Sequence, residues 1–90
     1  MSRESDWRWL ERTLATLNPG EYATTNTLIA RSIRERGYGL TVHSRAAELR
    51  AHQRRSLAGE VVVCDYLGAQ ANGRRVYGYR LVPTATKAAA

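Results

Sequence analysis

The sequence predicts an α+β domain in which three helices precede a two-stranded antiparallel β-hairpin. Three observations carry this reading: apolar residues at helical spacing in three successive segments, a change to period-two patterning from Glu60 onward, and an Asn72-Gly73 pair between two β-rich runs. Ninety residues make one small domain; a chain of that size buries roughly 60 to 65% of its unfolded surface, which leaves one modest core and no room for a second. The domain is expected over residues 5–83, with 84–90 (TATKAAA) a flexible tail.

The first helix rests on Trp7, Leu10, Leu14 and Leu17, which recur at steps of three and four, with Ser5 or Asp6 as N-cap and Asn18-Pro19-Gly20 as its stop. Only one of the two tryptophans can face the core: Trp7 is assigned there, and Trp9 covers an edge or forms a dimer contact. Residues 21–24 (EYAT) are long enough only for a turn or a brief third strand. The polar groups of Thr25, Asn26 and Thr27 can cap a second helix, with Leu28, Ile29, Ala30 and Ile33 apolar, Arg31, Arg34 and Arg36 polar, and Gly37 as C-cap. After a turn at 37–40, Thr41 can cap a third helix ending near Arg54, where Val42, Ala46 and Leu49 form a narrow inward stripe.

Two β-rich runs follow, residues 60–67 (EVVVCDYL) and 74–82 (RRVYGYRLV). A type I′ turn centred on Asn72-Gly73 sets Tyr66 opposite Tyr79, Cys64 opposite Leu81 and Asp65 opposite Arg80. Val62, Cys64, Tyr66, Tyr77, Tyr79 and Leu81 then share the face assigned to the core. The alternative connection is a six-residue loop, Gly68 to Gly73.

The formal net charge is +6, with Lys87 the single lysine. Residues 25–58 hold most of it (seven Arg against two acids, +5), while 1–24 sum to −1 and 59–90 to +2. Such a balance favours an anionic partner. Cys64 is the only cysteine, so the chain can build no disulfide framework, and a reducing cytoplasm fits. No apolar run reaches the roughly 18 to 20 residues a bilayer requires, and the N-terminal MSRESDWRW has no apolar signal region. His43 and His52 are nine residues apart without other ligands at metal spacing, and residues 68–73 lack the lysine of a phosphate loop. No nucleophile–base set stands out, so neither catalysis, a metal nor a cofactor is expected.

The order of elements, with NPGEYATT before the second helix, AAELRAH in the third and YGYRLVP in the last strand, resembles the winged helix-turn-helix domains of small prokaryotic and phage proteins. The resemblance covers residues 5–83 and implies duplex DNA binding by a transcriptional regulator of phage or mobile-element type. Helix 3 (41–54) would enter the major groove and a 68–75 wing would lie on adjacent backbone. On that reading Thr41 and Ser44 hold a phosphate, and His43 and Arg45 reach base edges. Arg54 and Arg55 touch backbone or simply end a solvated helix, Arg74 and Arg75 act from the wing, and Glu48 accepts from cytosine or pairs with Arg45 or Arg55. Against the family pattern, residues 53–58 intervene before Gly59, so helix 3 runs a turn longer or leads into an unusual connector. The other uses of such a domain are binding a host protein or a second copy of the chain, and bending DNA as an excisionase does.

Overall fold

The computed structural model describes residues 3–84. Its elements are α1 (Asp6–Leu14), β1 (Ala23–Thr24), α2 (Thr25–Arg36), α3 (Val42–Arg55), β2 (Glu60–Ala69) and β3 (Arg75–Pro83). The three strands form one antiparallel sheet in the order β1-β3-β2, so the brief third strand is real: Ala23 pairs with Tyr79 and Thr24 with Gly78. The result is a small α+β domain. Among the described residues no helix is long and apolar enough to cross a membrane. Thr84, the first residue of the expected 84–90 tail, donates from its N–H to Gly59 O and from its hydroxyl to Ala58 O; residues 85–90 lie outside the described residues.

In α1 the assignment of the tryptophans is reversed. Trp9, Leu10, Thr13 and Leu14 are buried, whereas Trp7 is half-buried and stacks on His52. At 100° per residue those four positions span about 140° of the helix with Trp7 just past their edge, and Trp9 lies at the other limit of the arc, turned inward. Its indole Nε1 donates to Glu35 Oε1 at 3.0 Å, which gives the buried ring's one polar atom a partner. Ser5 occupies the N-cap position without a side-chain capping bond, and the helix stops at Leu14, short of Leu17.

The cap of α2 is Thr24, one residue before the expected trio: its hydroxyl accepts from Thr27 N at 3.2 Å. Leu28 and Ser32 are the buried positions, one turn apart, while Ala30 and Ile33 point outward. Ser32 joins α2 to the turn that precedes α3: its hydroxyl donates to Ile29 O at 2.7 Å and accepts from Leu40 N at 3.0 Å. Gly37, at φ 84°, ends α2 in the left-handed conformation that glycine adopts without a Cβ clash.

The stripe Val42, Ala46 and Leu49 is buried as expected, and Gln53 continues it. Beyond Arg55 the chain closes with Leu57 N donating to Arg54 O and Ala58 N to Gln53 O, the paired bonds of a Schellman motif. Leu57 holds the left-handed position, at φ 53°, with its side chain 89% exposed. The connector is thus a standard helix ending built without glycine.

The hairpin register is displaced by two residues from the expected one. Tyr66 faces Tyr77, Cys64 faces Tyr79 and Val62 faces Leu81; Asp65 lies opposite Gly78, and Arg80 opposite Val63. Both expected connections are replaced by a three-residue loop, in which Gly73 N donates to Gln70 O and Gln70 N to Arg74 O. Gly73 alone takes positive φ, 84°, whereas a type I′ turn also demands it of Asn72. Asn72 instead keeps an ordinary φ and accepts from Arg74 N through Oδ1 at 2.9 Å. A bulge at Leu67, between the pairs Tyr66–Tyr77 and Gly68–Val76, adds the second residue of displacement. Two slips preserve the alternation of faces, so Val62 and Tyr79 are buried where the core face was expected; Tyr66 and Tyr77, nearer the tip, are exposed.

The other face of the sheet is covered by Tyr22. Its hydroxyl donates to Asp65 Oδ2 at 2.7 Å, and the Arg80 guanidinium lies 4.9 Å from its ring centre. Arg80 and Asp65 are diagonal neighbours 3.8 Å apart rather than a directly opposed pair. Gly78 makes this cover feasible, since a Cβ there would stand 2.6 Å from Leu67 Cδ1 and 2.9 Å from Tyr22 Cβ.

Two substitutions probe these local constraints. Gly78→Ala should lower unfolding free energy by about 1–3 kcal/mol through overpacking, read by urea titration; an unchanged midpoint would mean that Tyr22 does not lie across the strand. Leu57→Gly should raise it by about 0.5–1 kcal/mol, the relief of a left-handed leucine less the extra freedom of an unfolded glycine. A loss on Leu57→Gly would contradict the Schellman ending.

Candidate nucleic-acid interface

With Val42, Ala46, Leu49 and Gln53 turned into the core, the remaining positions of α3 divide into two flanks and an outer side. His43, Ala47, Arg50 and Arg54 follow one another on the flank facing the hairpin, where Arg50 Nε donates to Val62 O at 3.3 Å. The opposite flank carries Arg45 and His52, the latter stacked on Trp7 of α1 with ring centroids 3.9 Å apart. Ser44, Glu48 and Arg55 lie between, on the outside. Predicted site residues on α3 therefore face different ways, and only His43 and Arg54 share the flank nearest the hairpin.

Their partners differ as well. Thr41 and Ser44 are exposed at the start of α3, and the Thr41 hydroxyl makes no capping bond. Of the roles open to Glu48, the ion pair with Arg45 is the one formed, Oε1 to Nη1 at 3.0 Å. Arg55 Nη2 lies 3.0 Å from His52 Nδ1. Arg54, Arg74 and Arg75 are exposed and enter no ion pair among the described residues.

Between α3 and the hairpin the surface is concave. A recess of about 450 Å³ is bounded by Thr25, His43, Cys64, Tyr77 and Tyr79. A second, of about 410 Å³, continues toward the hairpin tip between Asn26 of α2 and Gln70, Arg74 and Arg75, sharing Thr25 and Tyr77 with the first. A third lies between Tyr66, Arg75 and Tyr77. The three run together from the N-terminal turn of α3 to the tip. Burial pushes the Tyr79 hydroxyl up to about 12, with the Cys64 thiol beside it acting in the same direction, so this wall of the recess stays neutral. Sequence reasoning missed Thr25, Asn26, Tyr66 and Tyr77. The two tyrosines were assigned to the core because their face is right, but no helix reaches far enough along the hairpin to cover them.

A polar network joins α1 to the end of α2 and the turn that follows it. The Arg36 side chain donates to Glu4 O at 2.6 Å, lies 3.0 Å from Asp6 Oδ1, and donates to the Tyr38 hydroxyl, which in turn donates to Asp6. Arg12 holds the Glu4 carboxylate through two hydrogen bonds, and Arg31 binds Glu35 one helical turn away at 2.7 Å. The Arg12 bonds hold Glu4 below its ordinary pKa, and the bonds from Arg31 and then Trp9 do the same for Glu35. Depressed carboxylates contribute stability that is complete above about 4.5, their ordinary value, and is lost as the pH falls through the lowered ones. Melting temperature should therefore fall on acidification from about pH 5 to about pH 3, and less steeply in Glu35→Gln, which keeps an acceptor for Trp9 but cannot titrate. Parallel profiles for the two proteins would remove Glu35 from the network.

Comparison of the chain with models of known protein families, with curated proteins and with solved structures finds no match, so the reading of this face rests on the chain's own residues.

Proposed function

We propose that the domain is a winged helix-turn-helix protein that binds duplex DNA, α2 and α3 forming the helix-turn-helix and the β2–β3 hairpin the wing. The observation that carries the reading is the continuous concave face between α3 and the wing. It is bordered by His43 at one end and by Arg74 and Arg75 at the other, and no residue lining its three recesses is acidic. Thr41, Ser44 and the N–H groups of the first turn of α3 meet a phosphate, and His43 enters the groove. Arg54 and the wing arginines neutralise backbone on either side. Arg45 reaches a base edge only by releasing Glu48, so the two act as one unit, the acid screening the arginine until a base competes for it. With its small size and its resemblance to phage and prokaryotic regulators, the protein is best understood as a cytoplasmic transcriptional regulator of phage or mobile-element type, without catalytic activity.

A host protein or a second copy of the chain is the rival partner. Trp9 no longer serves that reading, being buried; the exposed Leu57, next to the recess between Trp7 and His52, is what favours it. A purified chain that ignores DNA at low salt but retains one partner through Leu57 would decide for it.

The salt dependence of DNA binding tests the main reading. With about five to seven phosphates neutralised, log K against log salt should slope at about −4 to −6, and Arg74→Ala with Arg75→Ala should make the slope shallower by about two. A flat response in the unaltered protein would overturn the proposal.

A further inference from the structure

Tyr66 and Tyr77 face each other across the wing with ring centroids 5.7 Å apart and planes inclined at 58°, and they are 57% and 37% exposed. They lie on the same side of the sheet as the buried Val62 and Tyr79, so the face that forms core at the base of the wing continues bare toward the tip. The surroundings of the pair are specific. Arg75 stands beside both rings. Below Tyr77 lies the recess of about 450 Å³, predominantly apolar, whose wall also includes His43 and Tyr79. To the side, Asn26, Gln70 and Arg74 add amides and a second cation.

That combination of flat apolar rings, a recess beside them, hydrogen-bonding amides at the rim and unpaired arginines is the chemistry that holds a nucleobase with its flanking phosphates. A fully stacked duplex offers base edges in its grooves and no base faces, so tyrosine rings gain a stacking partner only when a base leaves the stack.

We propose that this concave face accepts one DNA base displaced from the duplex stack. The base lies against the Tyr66–Tyr77 pair at the mouth of the recess, its polar edge meets Asn26 and His43, and Arg74 and Arg75 neutralise the phosphates on either side. The inference rests on the DNA-binding reading and extends it from groove contact to local unstacking. Charge selects the occupant: two arginines and no acid line the three recesses, which suits a polyanion and disfavours an acidic peptide.

The test compares the full chain's affinity for a fully paired duplex and for the same duplex with one unpaired central nucleotide, whose base costs less to displace. The unpaired form should bind at least about tenfold tighter. Tyr66→Ala should abolish that preference, weakening binding of the unpaired form about tenfold more than binding of the paired duplex, and Tyr66→Phe should keep it. Tyr66 is the chosen position because it is the more exposed of the two, and an unchanged melting temperature reports an intact fold. Equal affinity of the unaltered protein for the two duplexes would overturn the base-capture proposal and leave DNA binding standing. A preference that survives Tyr66→Ala would overturn it as well, and failure to bind either duplex would overturn both readings together.

Discussion

The free edge of β2 is the constraint on which the rest of the structure depends. In the sheet order β1-β3-β2 this strand has a neighbour on one side only, and Val62, fully buried near its start, directs both its N–H and its C=O away from the sheet. Left bare, these groups would cost about 1–3 kcal/mol each. α3 satisfies both, through Gln53 Oε1, which accepts from Val62 N at 2.9 Å, and Arg50 Nε, which donates to Val62 O. The same Gln53 amide donates from Nε2 to Glu11 Oε2 of α1. One side chain thus ties α1, α3 and the hairpin together, and the rotation of α3 that brings Arg50 and Gln53 to Val62 also turns His43 and Arg54 toward the hairpin. The concave face follows from pairing a strand edge.

Charge is sorted over the molecule in keeping with this. Most acidic residues are engaged at the far side or within the scaffold: Glu4 and Asp6 by Arg36, Glu4 also by Arg12, Glu35 by Arg31 and Trp9, Glu11 by Gln53. Asp65 is drawn to the back of the sheet by Tyr22 and Arg80. The arginines that remain without an ion pair among the described residues include Arg54, Arg74 and Arg75, all exposed. A moderate net charge can therefore create a strong local field, because the carboxylates that would screen it are bound elsewhere.

The sequence reveals whatever is set by neighbours three or four residues apart. The order of the helices, the Gly37 cap and the Val42–Ala46–Leu49 stripe are of this kind. What escaped depends on distant partners. Trp9 is buried because Glu35, 26 residues away, offers its indole an acceptor. The left-handed Leu57 violates the glycine preference that sequence reading relies on, so the end of α3 had no visible signal. In the hairpin, Asn-Gly marks the turn correctly, but the choice between two turn types depends on whether Asn72 uses its side chain or its backbone to close the loop. Of the proposed site, the arginines were legible by charge alone; the tyrosines that give the recess its character were hidden by a correct assignment of face.

The two slips in the hairpin have an implication for how its length can change. The three-residue loop displaces the register by one and the bulge at Leu67 by one more, and only their sum returns the aromatic face to the helices. Removal of one of these residues alone would turn one strand over relative to the other, sending either Asp65 or Arg80 toward the core; removal of both would restore a shorter hairpin with the same chemistry. Length variation in the hairpin is therefore restricted to even steps. A lineage of such hairpins can change its reach only by changes that come in pairs, and an odd change survives only where a second, elsewhere on the same strand, cancels it.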